Sequence, residues 1–317
     1  MLNKDKIAFD IGALNTRVVV GKGTKNQIMI KDAFTFKTPA NSVEDGHILD
    51  VNLLRDEILN QLEERKIKAK AAVFSLSSTK MIMRELILPY APTHKIEAMV
   101  PFELAKHLPI TVEDFIIKFI PLEVIKEKNQ KNFRIMAVAL PKYLVKRYWE
   151  LCTEMEIKPL ALTIHVAGAT SLLQKKNDDS GETVALLDLG YSSINCSIIH
   201  GGRLVFNRMI SIGKKEIKED SSESLLNDSK MQLIVDKWLE EIKLVSRFYV
   251  SLKSGNQVDK IILLGGGSRI KNIAQYTEEK LEKPVLILSE NSRIKYKGFT
   301  TFPLNLYFNA ATALLLN

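Results

Sequence analysis

The chain has 317 residues, of which 46% are hydrophobic and 26% are charged, and its formal net charge is +8. This length predicts about two domains, and the composition excludes a disordered or a fibrous protein. The lysines form short clusters and no basic tail, so we interpret them as a solvated surface and expect no nucleic-acid partner.

Other features exclude further classes. The N-terminal segment lacks the apolar core of a secretory signal, and the longest uncharged stretch near the middle, Pro159 to Gln174, is shorter than the ~20 apolar residues of a membrane helix. The two cysteines and five histidines show no disulfide or metal-ligand spacing. We therefore expect a cytoplasmic protein whose only metal is one that a ligand brings.

The N-terminal quarter predicts a β-hairpin beginning at Lys6, followed by a third strand, a helix and a buried strand. The third strand covers 27–37, the helix 52–65 and the buried strand 71–77. Asp50 or Asn52 is the expected N-cap of the helix, because a short polar side chain there can accept the free backbone N–H groups of the first turn.

The next segment does not fit a simple continuation of this lobe. It predicts a strand, a helix, two strands and a second helix, at 81–88, 93–107, 115–125, 133–140 and 141–155. The polar link 126–132 is expected to be a hairpin loop. We interpret residues 78–156 as an inserted α/β subdomain between 1–77 and 157–178, which form the first lobe.

The second lobe is predicted to cover 179–317. A strand and an apolar helix at 159–173 lead through a charged link, 175–181, into a second hairpin. A polar loop at 219–228, a helix at 230–252, a strand ending in three glycines, a helix at 272–281, a strand and a helix of small residues follow. The apolar stripe of the long helix is Ile234, Trp238, Ile242, Val245 and Phe248.

An internal repeat links the two lobes. When KIAFDIGALNTRVVVGKG, from Lys6, is aligned with VALLDLGYSSINCSIIHGG, from Val184, the same residue types coincide at the corner of each hairpin. The coinciding pairs are Asp10 with Asp188, Gly12 with Gly190, Asn15 with Ser193 and Gly23 with Gly201. Two matching hairpins with similar flanking strands indicate duplicated lobes.

Each corner combines an aspartate with a glycine, which suits a phosphate site. The carboxylate can hold a hydrated divalent cation, and glycine allows backbone N–H groups to approach phosphate oxygens. Two facing corners would grip a polyphosphate, with Asp10 and Asp188 converging on one metal ion. The glycine turn would bring backbone against a base or ribose. The candidate binding residues are Asp10, Gly12, Asn15, Thr16, Arg17, Asp188, Gly190, Ser192, Ser193, Gly265, Gly266, Gly267, Ser268 and Arg269.

Each site taken alone is better explained as a tight turn without a ligand, and only the three sites together favour a nucleotide. Other nucleotide folds fit less well. The sequence contains no GxxxxGK[ST], and GGGSRI neither matches GxGxxG nor lies early enough to open a dinucleotide-binding unit.

These motifs, in this order, resemble the actin-like ATPase superfamily. The segments MVPFELAKHLP (99–109), LDLG…GGRLVFNRMISIG (187–213), IILLGGGSRIKNIAQYTEEKLEKPV (261–285) and the final NAATALL resemble the PilM family of type IV pilus assembly proteins, which is similar in fold to FtsA. The resemblance spans nearly the whole chain. It implies an α/β fold of two ribonuclease-H-like lobes with an inserted subdomain.

The resemblance also implies ligands and partners. PilM-like proteins bind ATP, with Mg²⁺ here expected at Asp10 and Asp188. They lie at the cytoplasmic face of the inner membrane, where they bind the N-terminal tail of a PilN-like bitopic protein in a groove between the first lobe and the insertion. They help to connect the pilus motor and platform components, and self-association is a further expectation. Membrane contact would pass through the partner.

Several positions depart from the family pattern. Ala13, Leu14 and Arg17 stand where hydroxyl side chains and a lysine are usual, Ile194 replaces a threonine, and the outer subdomain of the second lobe, about 214–260, is reduced. We therefore expect weakened ATP binding with weak or absent hydrolysis, and we name no catalytic residue. His165 lies where an acidic residue is common; it is either a cleft contact or, the interpretation we favour, a buried histidine with satisfied hydrogen bonds.

Two alternative functions fit the sequence less well. An FtsA-like membrane-associated filament protein would carry an amphipathic helix after the last core helix, whereas this sequence stops at Asn317. A sugar or acetate kinase of the same superfamily would need an acid or base for its substrate near the cleft, and the sequence offers none. The PilM-like adaptor is therefore the leading prediction.

Overall fold

The computed structural model describes residues 5–24, 27–68, 70–108, 111–127, 130–173, 181–211, 229–252, 255–298 and 301–315. The predicted loop at 219–228 and most of the link at 175–181 lie outside the described residues. So does the first part of the predicted outer subdomain at 214–260.

The first lobe begins with the predicted hairpin, third strand, helix and buried strand. Its elements are β1 (Lys6–Ile11), β2 (Asn15–Thr24), β3 (Gln27–Lys37), the two-residue strands β4 (Val43–Glu44) and β5 (His47–Ile48), α1 (Val51–Glu64) and β6 (Ala71–Leu76). The carboxylate of Asp50 accepts the backbone N–H of Leu53 at 2.9 Å, which confirms one of the two predicted N-caps. The buried side chains of α1, such as Leu54 and Ile58, pack with Phe9 of β1.

The insertion is a separate three-stranded sheet covered by one helix. Its elements are β7 (Ile82–Pro89), α2 (Thr93–His107), a 3₁₀ turn (Val112–Asp114), β8 (Phe115–Glu127) and β9 (Gln130–Pro141), and the strand order is β7-β9-β8, all antiparallel. The predicted hairpin loop, 126–132, includes residues that the structure pairs as strand. Lys126 pairs with Lys131 and Glu127 with Gln130, because polar side chains are readily placed on the exposed end of a hairpin.

Helix α3 (Lys142–Glu154) packs away from the insertion. Its buried residues Leu144, Tyr148 and Leu151 belong to the core formed by α1 and the sheet of the first lobe. Tyr148 also donates its hydroxyl hydrogen bond to the carbonyl oxygen of Gly46 at 2.9 Å. We therefore propose that the insertion ends near Pro141, earlier than the predicted boundary at 156.

The remaining elements complete the first sheet, form the second lobe and end with elements that pack against the first lobe again. They are β10 (Lys158–Ile164), α4 (His165–Leu173), β11 (Thr183–Leu189), β12 (Ile194–His200), β13 (Arg203–Ile210), α5 (Ser229–Leu252), β14 (Lys260–Leu264), a 3₁₀ turn (Gly266–Arg269), α6 (Ile273–Leu281), β15 (Val285–Ile287), β16 (Ile294–Tyr296) and α7 (Leu304–Ala313). The predicted stripe of α5 is buried except for Phe248, which is 49% exposed and contacts the ring of Phe206; Tyr249 is buried instead.

Two sheets share one topology. The first has the order β10-β6-β1-β2-β3-β16, and the second, written from its other edge, has the order β15-β14-β11-β12-β13. In both, the central strand pairs antiparallel with the next strand and parallel with a later one. This correspondence supports the duplication inferred from the repeat.

Helices α4 and α7 form a layer between the two sheets. Ala8 and Val73 of the first sheet, Leu186 and Leu264 of the second, and Phe308 of α7 belong to one buried cluster. The outer faces of the sheets are covered by α1 with α3 on one side and by α5 with α6 on the other. The short strand β16 pairs parallel with β3, so the chain re-enters the first sheet after building the second.

Strand alternation decides which side chains face the central layer. In β1, Ile7 and Phe9 point to the outer core, whereas Ala8 points to the central cluster. Because side chains alternate along a strand, Asp10 shares the inner face with Ala8, and Asp188 of β11 likewise shares it with Leu186. The two carboxylates therefore lie at the strand ends on the facing sides of the two sheets.

Among the helices that lie within the described residues, none combines the length and apolar character needed to span a bilayer.

Candidate functional site

The two hairpin corners have the same backbone geometry. The N–H of Gly12 donates to the carbonyl oxygen of Asn15 at 3.1 Å, and the N–H of Gly190 donates to that of Ser193 at 3.0 Å. A Cβ on Gly190 would lie only 2.6 Å from the Ser193 oxygen, so a larger residue would open the turn. The two tight corners thus fold alike and point into one cleft from opposite lobes.

The glycine turn after β14 forms the third side of the cleft. Gly265 has a φ of +82°, and a Cβ there would overlap the Asp188 carboxylate and lie 2.8 Å from the Leu189 carbonyl oxygen. Only glycine tolerates both conditions, since it lacks a Cβ and adopts positive φ freely. Helix α7 fixes the position of the turn, because the N–H of Gly265 donates to the carbonyl oxygen of Asn305 in α7 at 2.9 Å.

His165, the first residue of α4, lies between the two aspartates. Its Nδ1 is 3.0 Å from Oδ2 of Asp188, and its Nε2 is 3.2 Å from Oδ1 of Asp10. Asn309 of α7 donates from Nδ2 to Oδ2 of Asp188 at 2.8 Å. Nη1 of Arg17 lies 3.8 Å from Oδ2 of Asp10. One imidazole ring therefore connects the two lobes.

The electrostatics of this bridge follow from burial and charge. Burial alone would lower the pKa of His165, but the carboxylates of Asp10 and Asp188 outweigh it and raise that pKa to about 10. For Asp10, burial opposes ionisation, yet His165 and then Arg17 hold the pKa of the carboxyl below its usual value. At neutral pH the bridge is an imidazolium between two carboxylates.

Most of the predicted site residues line the cleft, and four do not. Those in the lining are Asp10, Gly12, Asn15, Arg17, Asp188, Gly190, Ser192, Ser193, Gly265 and Gly266. Thr16 lies on the opposite face of β2, where its hydroxyl is 2.9 Å from that of Thr38. Gly267 and Ser268 are buried in the turn, and Arg269 is exposed beyond it. We leave these four out of the proposed site.

The structure adds lining residues that the sequence analysis did not select. Asn309 lies within the predicted helix of small residues, and Asp45 and Gly46 form a turn beside the corner of the first lobe. Asp45 accepts the backbone N–H of Thr79 at 2.9 Å and its hydroxyl at 2.6 Å. The Asp-Gly dipeptide was an available turn signal, whereas nothing in the sequence indicated the position of Asn309.

Beneath the cleft lies a buried polar group, on Ser75, whose hydrogen-bonding capacity is not satisfied by the described residues. Ser75 of β6 is the register partner of Asp10. It is buried, and among the described residues its hydroxyl is a buried side-chain group without a hydrogen-bond partner. An unsatisfied buried hydroxyl costs about 1–3 kcal/mol, so this face of the sheet retains unused capacity for hydrogen bonding.

The donor set of the cleft suits an anion. Its walls carry Arg17, the hydroxyls of Ser192 and Ser193, and the amide side chains of Asn15 and Asn195, together with the backbone at the three glycine turns. Such groups bind phosphate oxygens. In the described part of the chain, no group of three or more His, Cys, Asp or Glu side chains could hold a metal ion.

Comparison with known proteins identifies the fold and the family. The cell division protein FtsA of Bacillus subtilis (strain 168) is 22% identical over 95% of this chain and 72% of its own length. A PilM-PilN type IV pilus biogenesis complex superposes with a TM-score of 0.81 at 17% identity, covering 98% of this chain and 99% of the matched one. The ethanolamine utilization protein EutJ of Carboxydothermus hydrogenoformans gives 0.55 at 12% identity, covering 100% and 91%.

A Bacteroides thetaiotaomicron protein described as having an actin-like ATPase fold also matches, with a TM-score of 0.50 at 11% identity over 90% of this chain and 91% of that one. These likenesses confirm the predicted actin-like α/β fold. The family model of the type IV pilus assembly protein PilM matches residues 8–224. That match spans the first lobe, the insertion and the first hairpin of the second lobe, and the chain belongs to the PilM family of type IV pilus assembly proteins.

Proposed function

We propose that this protein is an adaptor of the type IV pilus assembly machinery that binds ATP between its lobes. The observation that carries the ATP site is the convergence of two identical glycine corners and the Gly265–Gly266 turn on one cleft. The corners would contact the polyphosphate through backbone N–H groups, Asn15, Arg17, Ser192 and Ser193. The glycine turn would lie against the ribose or base.

We further propose that hydrolysis is weak or absent. Hydrolysis of a γ-phosphate requires a side chain that orients the attacking water. His165, at the start of α4, is a polar side chain of the cleft that could be considered for this role. Both of its ring nitrogens, however, already contact the carboxylates of Asp10 and Asp188. Neither nitrogen is free to accept a proton from water, which supports a binding role for the cleft over a catalytic one.

Isothermal titration of the full chain with ATP tests the nucleotide site. Arg17→Gln should weaken binding at least about tenfold, since hydrogen bonds to charged groups contribute roughly 1.5–3 kcal/mol. Arg203→Gln is the matched control, because Arg203 is exposed on β13 outside the cleft and should leave the affinity unchanged. If the unmodified chain takes up no ATP at millimolar concentration, the proposed site is refuted.

The proposed protein partner is the N-terminal tail of a PilN-like membrane protein. A solved structure of a PilM-PilN complex is similar to this chain over nearly its full length. Exposed apolar side chains occur on both the first lobe and the insertion: Phe102 of α2 is 75% exposed, and Leu53 of α1 and Tyr143 of α3 are about half exposed. A contiguous patch of such side chains would mark an interaction surface.

Fluorescence anisotropy with a labelled N-terminal peptide of a PilN-like protein tests this partner. Phe102→Ser should weaken binding at least about tenfold if the phenyl ring is one of the anchors that dominate such interfaces. Leu233→Ser on α5 is a suitable control, because Leu233 is similarly exposed on the second lobe. Equal binding by both variants would exclude Phe102 from the groove, and absence of binding by the unmodified chain would refute the partner.

In the cell, we propose that the protein lies in the cytoplasm at the inner face of the membrane, contacts the membrane through the partner's tail, and connects it to the pilus motor and platform. Self-association belongs to the same proposal. The similarity to FtsA supports a filament as the second candidate function. Sedimentation of the full chain with and without ATP separates the two, because a filament pellets whereas an adaptor that forms only small assemblies stays in solution.

A further inference from the structure

The arrangement of Asp10 and Asp188 disagrees with the Mg²⁺ site that an actin-like ATPase fold implies. Mg²⁺ needs oxygen ligands at about 2.1 Å in octahedral geometry. Here the two carboxylates contact opposite nitrogens of one imidazole ring at 3.0 and 3.2 Å. Because those nitrogens point away from each other, the contacted oxygens lie on either side of the ring and cannot both ligate one ion directly while the ring stands between them.

The other groups around the carboxylates are also nitrogen donors. Asn309 donates to the same Asp188 oxygen that His165 contacts, and Arg17 lies near the second oxygen of Asp10. All three aspartate oxygens in these contacts therefore face nitrogen. Both carboxylates are largely buried, so a metal ion that used any of these three oxygens would have to displace a nitrogen donor.

We propose that His165 takes the place of the divalent cation: its ring joins the carboxylates of the two lobes, and the nucleotide polyphosphate binds the cleft without requiring Mg²⁺. This inference deepens the proposed function, on which its nucleotide part rests. It assigns to His165 a positioning role, since the ring acts on the aspartates and leaves contact with phosphate to Arg17 and the corner backbones.

The first experiment uses metal alone, so that it does not depend on nucleotide binding. Mn²⁺ is titrated into the full chain at one fixed pH and followed by electron paramagnetic resonance. The unmodified chain should bind no Mn²⁺ tightly, whereas His165→Ala should bind it at least about tenfold more tightly, because removal of the ring frees the carboxylate oxygens that it contacts. His165→Gln is a second variant of closer size that should behave in the same direction.

His200→Ala is the control for loss of a histidine, because His200 is exposed and contacts Thr183 outside the cleft; it should resemble the unmodified chain. Tight binding of Mn²⁺ by the unmodified chain would overturn the inference. So would the absence of Mn²⁺ binding by both His165 variants, provided that their circular dichroism shows a folded protein, because the ring would then not be what excludes the metal.

The second experiment measures ATP affinity in Mg²⁺ and in EDTA. For the unmodified chain the two affinities should agree within about threefold, and for His165→Gln binding should become Mg²⁺-dependent by about tenfold or more, because the ring then no longer joins the two carboxylates and Mg²⁺ can take its place. A strong Mg²⁺ requirement in the unmodified chain overturns the inference. If ATP binds under neither condition, the proposed function fails, and the Mn²⁺ titration still decides the role of His165.

Discussion

At the scale of single residues, His165 unites the two interpretations that the sequence left open. The ring is buried and its nitrogens are satisfied, as expected for a core histidine, yet both partners are cleft aspartates from different lobes. The sequence could not reveal this, because Asp10, His165 and Asp188 are far apart along the chain and meet only when both sheets are packed. The aspartates themselves were predictable from the repeat.

Strand parity explains which neighbouring predictions did not reach the cleft. Arg17 and Asn15 point inward, so Thr16 between them must point to the opposite face, where it meets Thr38. The motif alone predicts a polar turn. Which face of the sheet each side chain occupies depends on the residue at which the strand begins.

The raised pKa of His165 predicts a specific pH dependence of stability. A histidine whose pKa rises from 6.5 to about 10 on folding stabilises the folded state fully below pH 6.5, and this stabilisation is lost as the pH rises toward 10. Urea unfolding across this range should show the free energy of unfolding falling more steeply for the unmodified chain than for His165→Gln. Parallel curves for the two proteins would contradict the imidazolium bridge.

At the scale of secondary structure, the elements were more predictable than their packing. Periodicity and turn residues located β3, α2 and nearly all of α1 and α3, whereas β16 was missed because three residues provide too little pattern. The exposed Phe248 shows a related limit: helical spacing places it on the stripe of α5, whereas the buried position in that turn is the next residue, Tyr249.

The crossing of α4 and α7 depends on one glycine. A Cβ on Gly168 would overlap the hydroxyl of Thr312 and lie 2.6 Å from its Cβ. Gly168→Ala should therefore lower the free energy of unfolding by about 1–3 kcal/mol, the usual cost of overpacking, as measured by urea denaturation. Ser171→Ala, on the exposed face of α4, should have little effect.

A double-mutant cycle shows whether the two side chains collide. Thr312→Ala removes the hydroxyl, so Gly168→Ala should cost less in that background. An equal cost in both backgrounds would place the strain elsewhere in the helix.

At the scale of the whole molecule, the central layer couples the lobes. One apolar cluster contains residues of both sheets together with α4 and α7, so neither lobe keeps its inner core when the other unfolds. The duplication was visible in the sequence, but this shared core was not. The predicted boundary at 179 assigns α7 to the second lobe, whereas it packs against β1, β2 and β6 as well as β14. We therefore propose that residues 294–315 belong to both lobes.

This coupling predicts a single unfolding transition. The sequence contains two tryptophans: Trp149 is exposed on α3, and Trp238 is buried under the second sheet. In Trp149→Phe, tryptophan emission reports on the second lobe alone, while far-ultraviolet circular dichroism reports on both. The two urea curves should coincide, as two-state unfolding requires; separate midpoints would show that the lobes unfold independently.

The parallel pairing of β16 with β3 has a consequence for biosynthesis. Parallel partners separated by most of the chain are slow to meet, since the intervening loop must close first. During translation, β1 to β3 leave the ribosome long before β16 and α7, and their inner apolar face stays uncovered meanwhile. The nascent chain thus exposes apolar surface that favours aggregation until α7 is made.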